Sequence, residues 1–111
     1  MGAREFTLKR FGFPTRAVEN PVVAAVGVAV LTVLRNNPDR VFWLIVNLSA
    51  NIVYVGLAGD VSATKGIRLD ANGGWVSMSV EEDGEAVGYE VFAVATGAAS
   101  AIYVLEMEKS G

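Results

Sequence analysis

At 111 residues the chain is long enough for one domain with a core of its own, and 52% of it is apolar against 19% charged. It has no cysteine and no histidine, which excludes disulfides, Cys/His zinc sites, haem ligation by His, and Cys- or His-dependent nucleophilic triads. The formal net charge of -3 sets up no strong field for nucleic acid, which is not an expected partner.

Charge is unevenly spread. Residues 1–20 hold Arg4, Lys9, Arg10 and Arg16 against Glu5 and Glu19, whereas the remainder has five bases against ten acids. The segment "REFTLKRFGFPTR" alternates charge with Phe6, Phe11 and Phe13, and Gly12 and Pro14 discourage a helix. It reads as an extended arm over residues 1–20, ahead of a single domain over 21–111. Phe6, Lys9, Arg10, Phe11, Phe13 and Arg16 are its candidate contacts, with a neighbouring subunit favoured over the chain's own body.

The longest apolar run, "VVAAVGVAVLTVL" (Val22 to Leu34), is thirteen residues, too short to span a bilayer of about 30 Å as a helix. It is valine-rich where a signal peptide favours leucine, and it reads as a strand apolar on both faces. "RNNPDR" is a turn. "VFWLIVN" (Val41 to Asn47) again has no polar face, so Val41, Trp43 and Ile45 are expected in the core or an oligomer interface. A short turn, "LSAN", then suggests a hairpin into the return strand "IVYVGL".

"AGDVSATKG" is loop, "IRL" a brief strand, and "DANGG" a tight turn in which Asn72, Gly73 and Gly74 can take positive φ. "WVSMSV" alternates, with Val76, Met78 and Val80 inward and Trp75, Ser77 and Ser79 outward. "EEDGEAVG" reads as an acidic solvated loop, and "YEVFAVAT" and "AIYVLEMEK" as strands joined by "GAAS". About seven short strands with turn signals every eight to twelve residues and no convincing helix predict an all-β fold. It is an antiparallel β-sandwich or jelly-roll-like barrel with an extended N-terminal arm.

Catalytic and ligand-binding signals are weak. "GLAGD" follows a strand as a phosphate loop would, but no phosphate-loop motif is present and no helix follows. Asp60, Asp70 and Asn72 could suggest calcium, yet Lys65 and Arg68 lie between the two carboxylates. Glu81, Glu82, Asp83, Glu85 and Glu90 are better read as a solvated turn than as a hydrolytic acid pair. No cofactor, metal site or enzymatic activity is expected. Trp75 is the best surface aromatic, and with Tyr89 or Tyr103 it could form a stacking platform. The alternative reading is therefore a carbohydrate- or host-surface-binding β-sandwich module.

The stretch "NPDRVFWLIVNLSANIVYVGLAGDVSATKGIRLDANGGWVSM" and the ending "VFAVATGAASAIYVLEME" resemble small β-rich structural proteins encoded among the head and virion genes of tailed bacteriophages. The resemblance covers Asn37 to Glu108, about two thirds of the chain, and leaves out the Phe-containing arm. It implies a non-enzymatic capsid decoration or cement protein on the capsid surface of a virion. It also implies a small symmetric homo-oligomer, a trimer above all, that binds the major capsid protein or another virion protein. No catalytic residues come with it.

Overall fold

The computed structural model describes residues 3, 5, 9, 10, 12–19 and 26–110. Among them are eight strands: β1 (Thr15–Glu19), β2 (Leu31–Leu34), β3 (Arg40–Asn47), β4 (Val53–Gly56), β5 (Ile67–Leu69), β6 (Trp75–Ser79), β7 (Val91–Ala95) and β8 (Ile102–Lys109). A four-residue helix, α1 (Val80–Asp83), and a 3-10 segment (Gly84–Gly88) join β6 to β7.

The strands form two antiparallel sheets of four, ordered β1-β8-β3-β6 and β2-β7-β4-β5. The pairings β1·β8, β2·β7, β3·β6 and β4·β5 describe one long ribbon folded back on itself at the β4–β5 loop. Rolling that ribbon creates the two further pairings, β3·β8 and β4·β7, that complete each sheet. This is the eight-strand jelly roll. The predicted β-sandwich is the observed fold, with eight strands rather than about seven.

Three expectations about the strands and the arm need correction. First, β3 and β4 are not a hairpin: they lie in opposite sheets, and of all consecutive strands only β4 and β5 pair. A turn signal marks a change of direction but does not say whether the chain stays in its sheet. Second, the arm is not extended throughout. Ala3, Glu5, Lys9 and Arg10 have helical backbone, and Thr15–Glu19 is an edge strand paired with β8. Third, no two-sided buried strand runs to Leu34. Val22 to Ala25 lie outside the described residues. Val26 is buried beside Ser100, but Val28 and Val30 are exposed, and the strand begins only at Leu31. Within β2, Val33 and Leu34 reach the core, where the register with β7 shifts after Thr32.

The core lies between the sheets. Trp43 and Ile45 of β3 and Val104 of β8 face Val53 and Val55 of β4, Leu69 of β5, and Val91 and Ala93 of β7; each is at most 1% exposed. Burying one such aliphatic side chain contributes roughly 1.5–3 kcal/mol. Val76, Met78 and Val80 pack inward as their alternation requires. The stretch "EEDGEAVG", expected to be an acidic solvated loop in a chain without helix, instead falls in α1 and the 3-10 segment, where Val87 and Gly88 are buried. Ser79 caps α1 by accepting from the Glu82 backbone N–H, while Asp83 reaches back to the Ser79 N–H. Glu81, Glu82 and Asp83 in its first turn suit the positive end of the helix.

Candidate functional site

Buried polar side chains at the two ends of β3 are engaged with other side chains and with backbone. Arg40, 3% exposed, donates from Nε to Glu106 Oε2 at 2.6 Å. Its Nη1 reaches the carbonyls of Val87 (3.2 Å) and Tyr89 (3.1 Å), and its Nη2 that of Arg35 (2.6 Å). One guanidinium thus ties β3 and β8 to the β2–β3 turn and to the 3-10 segment.

Asn47, fully buried at the other end of β3, does the same for three loops. Its Nδ2 donates to the carbonyls of Asn51, Leu69 and Asp70, and its Oδ1 accepts from Ser49 N and Oγ. Its backbone pairs with Gly73 and Gly74. Gly74 is required there because an added Cβ would lie 2.4 Å from Asp70 N. Asn72 and Gly73, at φ 61° and 121°, supply the expected left-handed turn. The motif residues quoted for the phage resemblance are therefore the ones that hold the chain's corners.

The loop carboxylates have cations of their own. Lys65 hydrogen-bonds Asp60 and holds its carboxyl below the usual carboxylate range. Arg68 donates from Nε to Asp70 Oδ1 at 2.8 Å, and that hydrogen bond raises the guanidinium pKa. A pair so neutralised is a poor ligand for a metal. Among the described residues no cluster of three acidic side chains is placed to hold a metal ion.

Two open clefts mark the surface. One, of about 360 Å³, has the already engaged Arg40 at its floor and Asn36, Pro38, Glu85 and Tyr89 around it. The other, of about 330 Å³, lies beside the β4–β5 loop between Leu57, Val61, Ile67 and Met78.

The described part of the arm touches the body through exposed contacts. Arg10 pairs with Glu81, about half of each side chain being exposed, and the hydrogen bond raises the Arg10 pKa. Arg16 meets Glu108 at 3.1 Å, and Lys109 Nζ sits 5.5 Å from the centroid of the Phe13 ring. Lys9 is exposed. Phe6 and Phe11 lie outside the described residues. Arg10, Phe13 and Arg16 thus reach this chain's own body, the partner that the sequence reading ranked second.

Trp43 and Ile45 are core residues, each 0% exposed, and Val41 sits at the register shift between Arg40 and Phe42. The alternation that buries them turns Phe42, Leu44 and Val46 to the outer face of the β1-β8-β3-β6 sheet. There they pair across the ladder with Met107, Leu105 and Tyr103, and all six are half-buried. Trp75, 64% exposed, extends the last row: Trp75–Val46–Tyr103 lie side by side on β6, β3 and β8. Tyr89 is elsewhere, beyond the 3-10 segment. Sequence reasoning named the inward residues of β3 and passed over the outward ones, although its own observation that β3 lacks a polar face already contained them.

No helix among the described residues is long and apolar enough to cross a membrane. No family model matches the chain, and no curated protein is similar to it. Among solved structures it is similar to a chain of the Bacillus endospore appendages, described as a novel family of disulfide-linked pili. The identity is 12%, the TM-score 0.45, and the match covers 86% of this chain and 84% of that one.

Proposed function

We propose that this protein is a non-enzymatic structural component of a virion, of the capsid-decoration or cement kind, that works as a homo-oligomer on the major capsid protein. The observation that carries this reading is the use of its buried polar groups. Arg40, Asn47 and Glu106 are engaged in fixing strands and turns, which makes a rigid body with its free surface left for other proteins. The phage-like motifs coincide with those residues and supply the virion context. A protein that binds only the assembled shell stabilises it by linkage, whatever its chemistry.

The test is composition. Particles purified on a density gradient from the cells whose genome encodes the chain are analysed by mass spectrometry. The chain is expected at a stoichiometry comparable to the major capsid protein. Its absence from intact particles overturns the reading.

A second reading, a carbohydrate- or host-surface-binding module, is favoured by the Trp75–Val46–Tyr103 row, which sets two aromatic rings on one face two strands apart. At about 4.8 Å per strand the rings are roughly 10 Å from each other, room for stacking on two separate sugar rings of one glycan. Trp75→Ala should then abolish binding on a glycan array, and no glycan retained by the intact protein would reject it.

A further inference from the structure

The outer face of the β1-β8-β3-β6 sheet is unusual for a sandwich in water. An antiparallel sheet with one face on the core ordinarily turns polar side chains outward. Here both central strands turn apolar ones outward, in directly opposed pairs: Phe42 with Met107, Leu44 with Leu105, Val46 with Tyr103. The flanking strands add Trp75 from β6 and Ala17 from β1 in the same rows. Ser77 and Ser79 of β6 and Glu19 of β1 complete these rows at the flanks, and Lys109 lies one pair beyond them, opposite Thr15.

The arm's described contacts lie at one end of this face. Arg10 holds Glu81 just past β6, and Phe13 stacks with Lys109 at the end of β8. The opposite end is open: Trp75 is 64% exposed, and Leu48, two residues beyond Val46, is 58% exposed.

We propose that this face is where a second copy of the chain packs. The inference rests on the homo-oligomer reading and supplies its surface. The two central strands are eight residues long and the two flanking ones five, so at roughly 3.3 Å per residue and about 4.8 Å per strand the face covers about 400 Å². Two such faces together bury about 800 Å², the size of a weak, reversible contact that forms at high concentration. An apolar, uncharged centre offers nothing to steer a charged partner, whereas an identical face brings an apolar, uncharged centre of its own to meet it. The centre of the contact is the open end, around Val46, Leu48, Trp75 and Tyr103.

The experiment is light scattering of the full chain beside the variant Leu48→Glu/Trp75→Ser at high micromolar concentration. Both substituted residues are exposed, so the sandwich should tolerate them, and circular dichroism checks that it does. The expected result is a multiple of 11.7 kDa for the parent protein and 11.7 kDa for the folded variant. An unchanged oligomer in the variant overturns the proposed surface while leaving self-association in place. A monomeric parent overturns both, and the virion reading is then judged by particle composition alone. If the variant fails to fold, iodide quenching of the parent decides, since of the two tryptophans Trp43 is buried and Trp75 exposed. Quenching that falls as the oligomer forms supports the surface, and quenching that is indifferent to assembly overturns it.

Discussion

Removing the Arg40 side chain would take the guanidinium away from Glu106 and from the carbonyls of Arg35, Val87 and Tyr89 at once. Breaking one side of a buried ion pair typically costs about 3–5 kcal/mol, because the remaining charge stays desolvated. Arg40→Met should therefore lower the urea unfolding free energy by about that much. Adding Glu106→Leu should recover part of the loss, since the carboxylate that has lost its guanidinium is then no longer buried. Trp43 presents the opposite case. Its Nε1 is the one fully buried side-chain nitrogen or oxygen among the described residues with no hydrogen-bond partner. An unsatisfied buried donor costs about 1–3 kcal/mol, so Trp43→Phe trades a smaller ring against the removal of that penalty. The expected change in unfolding free energy is within about 1 kcal/mol of zero, far short of the roughly 3–5 kcal/mol that emptying an aromatic site costs. A loss of that larger size would mean the indole is held by packing alone.

At the level of elements, the arm and the domain are not divided at residue 20. Thr15–Glu19 runs the length of a ladder with Glu19↔Leu105 at one end and Thr15↔Lys109 at the other, so it belongs to the sheet. Deleting residues 1–13 should leave the thermal midpoint nearly unchanged, because contacts it removes include the exposed Arg10–Glu81 pair and the half-buried Phe13 ring against the exposed Lys109. Deleting 1–20 strips β8 of its neighbour and leaves an apolar strand with an open edge, for which aggregation on heating is expected. Equal midpoints and equal solubility for the two deletions would show that β1 contributes nothing. The sequence hid this strand because "TRAVE" is short, half-charged and adjacent to Gly12 and Pro14, and its pairing partner lies ninety residues away. Alternation, by contrast, was legible wherever it was strict: Val76, Met78 and Val80 point inward as read. The capping pattern at Ser79 to Glu82 was legible too, but the acidic run after it was read as solvent loop. What no local pattern could supply is sheet membership. That Leu48 to Ile52 crosses between sheets rather than closing a hairpin depends on Asn47 binding Leu69 and Asp70, which are distant in sequence. The candidate surface was half legible for the same reason: an all-apolar strand announces two buried faces, and the fold decides which one is the core.

For the whole molecule, two kinds of attraction coexist and respond oppositely to salt. The basic arm faces an acidic body, as Arg10 on Glu81 and Arg16 on Glu108 illustrate. Such exposed pairs fade as the screening length falls from about 10 Å at 0.1 M to about 3 Å at 1 M ionic strength. The centre of the outer face of the β1-β8-β3-β6 sheet is apolar, with Ser77, Ser79, Glu19 and Lys109 at its margins, so association through that centre depends on area removed from water. Excluded salts such as sulfate strengthen that term rather than weaken it. The oligomer mass measured by light scattering is therefore expected to stay constant or rise between about 0.1 M and 1 M salt. Over the same range trypsin cleavage after Lys9 and Arg10 should quicken as the arm loses its hold on Glu81. An oligomer that dissociates as salt is added, in step with the cleavage, would mean that copies are held by arm-to-body ion pairs and that the apolar face plays no part in assembly.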